Sequence, residues 1–477
     1  MPHNAEAQSP FLRLQLIIKQ YVLECLSHAS YLVVDESSGV AVVVDPERDV
    51  SEYVADATAA GATIKHVLLT HFHGDFVTSH LTFREKFDAE IHFGARGDAT
   101  YPSTPIHDGD ALELGSVTLR FIETPGHTPE SICAVVYDIA NVPDVPHAVF
   151  TGETLLIGDI GRPDLVAFGE GDRAALAAEL YASLRGALAE LPADTLVYSS
   201  HSMGSLCGPH TPADTVTTMG VQRTFNHGLQ PMSEEAFVAM VTADQPPPPG
   251  YWGWDAQLAR RNRPSLPRDV ALARVMPNDF APLAKSGVPV LDGRDGVDYA
   301  GAHIAGSVYV GADGALAAEA RSSLDFGRPA YVMVYPGGEA AIVENLARVG
   351  MTNVAAFVSS GMGFFEHWLE IVAKTQRVAA LNLVDQRLHG NPPAVIDIRD
   401  ADAWAAGHID ASINVPLASF AKRVSELPDD RALVLVCEAG FRTPVAASIL
   451  ERAGRGGVAE LIGGMRGWLA YDLPAVD

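Results

Sequence analysis

The chain has only four cysteines in 477 residues, Cys25, Cys133, Cys207 and Cys437, too few and too scattered for a disulfide framework. A reducing, cytoplasmic setting is therefore expected. Basic residues are also scarce: 33 Lys and Arg stand against 59 Asp and Glu, a formal charge of −26. A surface of that sign repels phosphate, which argues against a nucleic acid or an anionic membrane as partner. Long apolar runs are missing too. The stretch VAVVVD at 40–45 is typical, and it falls far short of the ~20 residues that span a bilayer. The opening MPHNAEAQSP has no basic stretch followed by an apolar core, so no secretory signal is read there.

What is present reads as globular. Hydrophobic residues make up 48% of the chain, and its length implies two to four domains. From 11 to 45 β-rich stretches alternate with turn residues, and Asp45-Pro46 closes the series. Ser51 to Ala60 has helical spacing, with Gly61 where a helix C-terminus favours it. Strand-like 64–69, 111–122, 131–137 and 148–150 follow, then a helical Ala174 to Leu191 and a short strand Leu196 to Tyr198. Strands first, then strand–helix alternation, suggest an α/β sandwich with helices outside the sheets.

The stretch with most chemistry is VLLTHFHGDF, 67–76, where an apolar run ends on His71, His73 and Asp75 at alternate residues. A loop at the end of a buried strand can aim several of these into one pocket. Downstream, GHTPES brings His127, TGET brings Glu153 and YSSH brings His201, each near the end of a β-like run. Imidazoles with carboxylates suit a divalent metal such as zinc or iron.

That order of motifs resembles the metallo-β-lactamase superfamily, whose ligands sit on loops along one edge of a sandwich. The resemblance implies an αββα fold for residues 11–265. Its two-zinc pattern is H-x-H-x-D-H, but the last position here is Phe76, which ligates nothing. The arrangement is thereby similar to the persulfide dioxygenase branch, which implies one Fe(II) per chain on His71, His127 and Glu153, with zinc as the alternative. His73, Asp75 and His201 would then orient ligands and bound water. Glu153 stands where the branch usually has Asp, and Asp159 is the nearest alternative carboxylate. Arg162, in the GRPD that also resembles this branch, is a candidate for holding an anionic thiol, or a partner of Asp164. Cys207, in HSMGSLCG, resembles a segment of multidomain persulfide dioxygenase–sulfurtransferases and is a candidate beside the substrate. Cys133 reads as core, and Cys25 sits in a β context.

Beyond a Pro-rich segment at 245–250 the chain repeats itself. VLDGRDGVDYAGAHIAGSVYV at Val290 matches VIDIRDADAWAAGHIDASINV at Val395, pairing Asp292 with Asp397, Arg294 with Arg399 and His303 with His408. YVMVY ending at Tyr335 then matches LVLVC ending at Cys437. These features resemble the rhodanese family, over 275–373 and 378–477. The loop CEAGFR, from Cys437 to Arg442, matches the family's C-x-x-G-x-R, and Thr443-Pro444 then starts a helix with Thr at the cap. A helix N-terminus aimed at Cys437 stabilises its thiolate, which can carry sulfur as a persulfide. The first copy has YPGGEA there, with Tyr335 for the cysteine and no arginine, and is expected to be inactive.

The resemblance implies O₂-dependent oxidation of a glutathione-type persulfide to sulfite, coupled to sulfur transfer with thiosulfate at Cys437. A homo-oligomer is expected. A zinc thioester hydrolase of the glyoxalase II kind, or a sulfur carrier without catalysis, are the alternatives.

Overall fold

The computed structural model describes residues 16–23, 27–165, 170–201, 214–243, 245, 252–263, 273–314, 316–325, 327–351, 353–359, 362–389 and 392–476. Cys25, Cys207 and most of the Pro-rich segment lie outside these residues. The described residues fall into two compact units, divided between 265 and 266.

In the first unit twelve strands form two six-stranded sheets. One holds β1 (Leu16–Leu23), β2 (His28–Asp35), β3 (Val40–Val44), β4 (Thr63–Leu68), β5 (Glu90–Gly94) and β6 (Thr104–Ile106) in that order. The other runs from β7 (Ala111–Glu113) through β8 (Val117–Glu123), β9 (Ile132–Asp138), β10 (Pro146–Gly152) and β11 (Leu196–Ser199) to β12 (Thr217–Thr218). Strand β2 is buried at every position, as a strand covered on both faces must be. Its Tyr31 and Val33 join Phe121, Ile132 and Phe150 between the sheets. Its Leu32 and Val34 pack outward, with α1 (Ser51–Ala59) and α2 (His80–Phe87). The outer face of the second sheet is covered by α3 (Glu170–Arg185) through Ala177, Leu180 and Leu184. This is the expected αββα sandwich. The helix expected at 174–191 breaks at Gly186, after which 187–190 form a separate turn. The helix Trp252–Arg260, beyond the prolines, still packs on the first unit: Ala259 is in its core, and Thr100 N donates to Arg260 O at 2.8 Å.

The second unit carries the repeat. Its first parallel sheet has the order β13 (Ala273–Arg274), β18 (Val354–Ser359), β17 (Ala330–Val334), β14 (Val290–Asp292) and β16 (Val308–Tyr309). Two short strands, β15 (His303–Ile304) and β19 (Val372–Ala373), pair beside it. The second parallel sheet repeats the order with β20 (Gln376–Val378), β24 (Val458–Leu461), β23 (Leu433–Val436), β21 (Ala394–Asp397) and β22 (Ile413–Asn414).

Side-chain bonds repeat as faithfully as the strands. Arg294 forks onto Asp292 and donates to Ala302 O at 2.7 Å; Arg399 forks onto Asp397 and donates to Gly407 O at 2.8 Å. His303 stacks on Tyr299 as His408 does on Trp404. A buried guanidinium is tolerated only when its donors are matched, and the fork with a backbone carbonyl does that in both copies. The two copies share one hydrophobic cluster, from Leu291 and Val332 to Leu435 and Leu450. Among the described residues no helix is long and apolar enough to cross a membrane.

Candidate metal centre and sulfur-transfer loop

Apolar β4 ends at Leu68, and the chain then turns at the edge between the two sheets. Ile132 N donates to Thr70 O at 2.9 Å, and Ala29 N to Ser200 O at 2.7 Å, so the ends of both sheets are laced together there. The lacing brings His71, His73, Asp75, His127, Glu153 and His201 into one buried cluster, each at most 8% exposed.

Glu153 is its hub. His71 Nε2 lies 3.1 Å and His201 Nε2 3.1 Å from Oε1, while His127 Nε2 lies 3.2 Å from Oε2. Asp75 stands 3.3 Å from His201 Nε2 and 3.8 Å from His73 Nδ1. The outward nitrogens show which tautomers can serve a metal. His127 Nδ1 donates to Arg162 O at 2.9 Å, and His201 Nδ1 to Ser27 O at 3.2 Å. The Thr70 hydroxyl donates to Asp45 Oδ2 at 2.7 Å, so it accepts from His71 Nδ1 at 3.0 Å. In the neutral tautomer this fixes, the lone pair of each ring sits on the inward Nε2, the arrangement a ligating histidine needs. Donors from His71, His127 and Glu153 lie within 4.8 Å of one another.

Electrostatics agree with a cation site. Burial opposes the Glu153 carboxylate, yet His127 and His201 hold it ionised, well below the usual carboxylate range. Burial also opposes charge on His201, but Glu153 and Asp75 raise it to about 9. His127 goes the other way: burial lowers it to about 4 despite Glu153. The cluster thus attracts positive charge, and a metal ion would displace the proton that supplies it.

Two contributors carried no sequence signal. Asp45, wholly buried, accepts from Thr70 N at 2.8 Å and from Ser200 Oγ at 2.8 Å, and faces His73 Nε2 at 3.2 Å. Its backbone adopts φ +48°, which a short polar side chain bonded to its surroundings tolerates. His28 on β2 is the second. Its Nε2 donates to Asp45 O at 2.9 Å, its ring lies 4.0 Å from that of Phe76, and its Nδ1 is buried without a hydrogen-bond partner. His28, His73 and His201 form a further potential ligand set. Burial lowers His28 to about 3, so it presents a neutral ring.

Other candidates do not join the Glu153 ligand set. The Arg162 guanidinium is buried and forked onto Asp164 at 3.1 and 2.8 Å, and it is the Arg162 backbone carbonyl that holds His127. Asp159 is not in the Glu153 set; it accepts from Ile160 N and faces His227 at 3.5 Å. Cys133 lies in the core of β9, its thiol pushed up to about 11 by burial.

Gly161 passes close behind Glu153. A Cβ there would stand 1.9 Å from the Glu153 carbonyl oxygen and 3.2 Å from His127 Cβ. Gly161→Ala should therefore displace Glu153, costing about 1–3 kcal/mol and lowering the melting temperature on the order of 5 °C. Calorimetry and metal analysis on one preparation check this. Unchanged stability and metal content would refute it.

In the second unit Cys437 follows β23, and Gly440 N donates to its Sγ at 3.1 Å. The helix α4 (Thr443–Arg452) begins directly after the loop. Thr443 is its first residue and not its cap: Arg442 takes the cap position, and the Thr443 hydroxyl donates to buried Glu460 at 2.7 Å. Arg442 is half-exposed, 3.6 Å from Glu319 of the first copy. In that copy Tyr335 occupies the place of Cys437, its hydroxyl against Asp295 and Asp298.

An αββα sandwich with a buried His–carboxylate cluster at its edge defines a metal-binding protein. Residues 23–201 match the metallo-beta-lactamase superfamily, and 380–471 a rhodanese-like domain. The cytoplasmic hydroxyacylglutathione hydrolase of Arabidopsis thaliana is 34% identical over 187 residues, 39% of this chain and 67% of the relative. The mitochondrial persulfide dioxygenase ETHE1 of Homo sapiens is 29% identical over 221 residues, 46% of this chain and 78% of the relative. A metallo-beta-lactamase structure from Staphylococcus aureus subsp. aureus COL superposes with a TM-score of 0.64 at 25% identity, covering 72% of this chain and 99% of that one. The chain belongs to the metallo-β-lactamase superfamily and carries a C-terminal rhodanese-like domain.

Proposed function

We propose that this protein oxidises a low-molecular-weight persulfide of the glutathione type to sulfite with O₂, and moves sulfane sulfur through Cys437. One observation carries the reading: a buried two-His-one-carboxylate set, His71, His127 and Glu153, shares a chain with a rhodanese loop that has its cysteine. The likeness to ETHE1, named a persulfide dioxygenase, supports it. Iron held by three protein ligands would leave open positions for a substrate sulfur and O₂. Around it, Thr70 and the Arg162 carbonyl fix the rings of His71 and His127, and Asp75 holds His201 beside Glu153.

At the second site the Cys437 thiolate attacks the outer sulfur of thiosulfate. A Cys–S bond forms, the S–S bond of thiosulfate breaks, and sulfite leaves with the electron pair. A thiol or sulfite then takes the sulfur and returns the thiolate. Gly440 N, at 3.1 Å, stabilises negative charge on Sγ, and Arg442 offers a cation to the anionic donor. The copy at 275–373, with Tyr335, would serve as scaffold through the shared core.

The His28, His73 and His201 set favours a second reading, a zinc thioester hydrolase, which the Arabidopsis relative also suggests. Anaerobically purified protein should contain iron and consume O₂ when given glutathione persulfide. Zinc in place of iron, with hydrolysis of a glutathione thioester and no O₂ uptake, would overturn the first reading in favour of the second.

A further inference from the structure

Metal donors gather at a second place in the first unit, away from the Glu153 cluster. His66 on β4 lies opposite Glu90 on β5 in the parallel ladder, and His92 is two residues further along the same strand. Side chains two apart on a strand, and those of opposite residues, share a face of the sheet. The three therefore converge. His66 Nδ1 is 3.1 Å from His92 Nε2, and Glu90 Oε2 is 3.8 Å from each of these nitrogens.

The centre of a triangle with sides of 3.1, 3.8 and 3.8 Å lies about 2.1 Å from each corner. Zinc binds imidazole nitrogen at about 2.0–2.1 Å and carboxylate oxygen at about 2.0–2.2 Å. The three donor atoms thus stand at separations that a zinc-sized ion spans, once it replaces the hydrogen shared by the two imidazoles.

Independent features support the site. His92 is 3% exposed, and its Nδ1 has no hydrogen-bond partner, so its polar contacts are made at Nε2, the atom facing the other donors. Burial lowers both imidazoles, His92 to about 4, so both rings are neutral at pH 7 and no ring proton has to be displaced beyond the one shared between them. Thr104 on β6 holds the other oxygen of Glu90, which leaves Oε2 turned toward the imidazoles. The Glu90 side chain is 51% exposed, leaving a path for the ion and a place for a water ligand.

We propose that His66, Glu90 and His92 bind a divalent transition metal of the zinc class and clamp β4 to β5. The set shares no residue with the Glu153 cluster. Its mechanical link to that cluster is short: Leu69 N, two residues before His71, donates to His92 O at 2.9 Å. A filled clamp would stiffen the strand end that presents His71.

The test compares the full-length protein with His66→Gln and with Glu90→Gln, both at positions where a polar side chain has room. Each is equilibrated with buffered zinc, freed of excess, and analysed for metal per chain. Wild type should hold one more zinc than either variant, with at least tenfold tighter uptake of that ion. Cobalt(II) should give a difference spectrum, wild type minus variant, with the bands of a four-coordinate site. His71→Ala, which disturbs the other cluster, should keep the extra ion. Equal zinc counts in wild type and both variants would overturn the proposal and leave only a hydrogen-bonded imidazole pair. The comparison does not depend on the oxygenase reading, because loss of O₂ uptake would leave the difference in count unchanged.

Discussion

Replacing His71 with alanine should abolish persulfide-dependent O₂ uptake while leaving sulfur transfer from thiosulfate to a thiol within about twofold of wild type. His71 brings one of two imidazoles in a three-donor set, and its Nε2 is 3.1 Å from Glu153. Altering groups that merely support metal ligands typically costs about 10–100-fold in affinity or activity. Losing a ligand outright should exceed that, so a fall of at least about 100-fold is expected. Sulfur transfer is spared because Cys437 belongs to the other compact unit, with its own sheets and core. Oxygen-electrode traces and a thiosulfate–thiol assay on one preparation separate the two. Persistent O₂ uptake would sink the assignment of His71; parallel loss of both activities would point to misfolding.

The second large effect is expected from Cys437→Ser. Serine keeps the size of the side chain but ionises far less readily than a thiol, and it cannot carry sulfur as a persulfide. Thiosulfate–thiol transfer should drop to background. Tyr335 stands at the matching position of the first copy, so that copy offers no replacement nucleophile. The product pattern should change as well. The Cys437 thiolate can attack the outer sulfur of the thiol persulfide, whose thiol leaves with the electron pair. Sulfite then takes that sulfur and returns the thiolate, so the intact chain given persulfide and O₂ should release thiosulfate along with sulfite. The variant should release sulfite alone, with O₂ uptake little changed. Linking two sites raises the effective concentration of one near the other, to about millimolar for a short flexible connection. Residual transfer above background would implicate another cysteine, for which Cys25 and Cys207 are the candidates. An unchanged sulfite-to-thiosulfate ratio would rule out coupling of the two sites through Cys437.

Much of this was legible in the sequence, because it depends on patterns a few residues long. Short β-rich apolar runs bounded by turn residues mark strands, and all eight residues of β2 prove buried. His71, His73 and Asp75 stand close together in sequence on the loop that follows β4. The repeat showed because two copies of one unit solve the same local problem: an arginine forks onto the aspartate two residues before it and onto a carbonyl eight residues after it, at Arg294 and again at Arg399. Order of motifs was enough to recognise both families.

Contacts between distant segments were decided by tertiary structure. Asp45 looked like a turn residue after a strand, yet it receives Thr70 and Ser200, 25 and 155 positions away. His28 carried no motif of its own, and only the lacing of the sheet edges sets it against Phe76 and His201. Thr443 has the residue type of a helix cap, but a buried carboxylate at Glu460 offers its hydroxyl a better-placed acceptor. Local preference is worth about 1 kcal/mol at such a position, and a buried carboxylate that would otherwise lack a donor costs more than that. The sequence by itself determined which strands and loops exist and which chemical groups they carry. Which of those groups meet followed from how two sheets close on one core, where burial penalises a polar atom left without a partner.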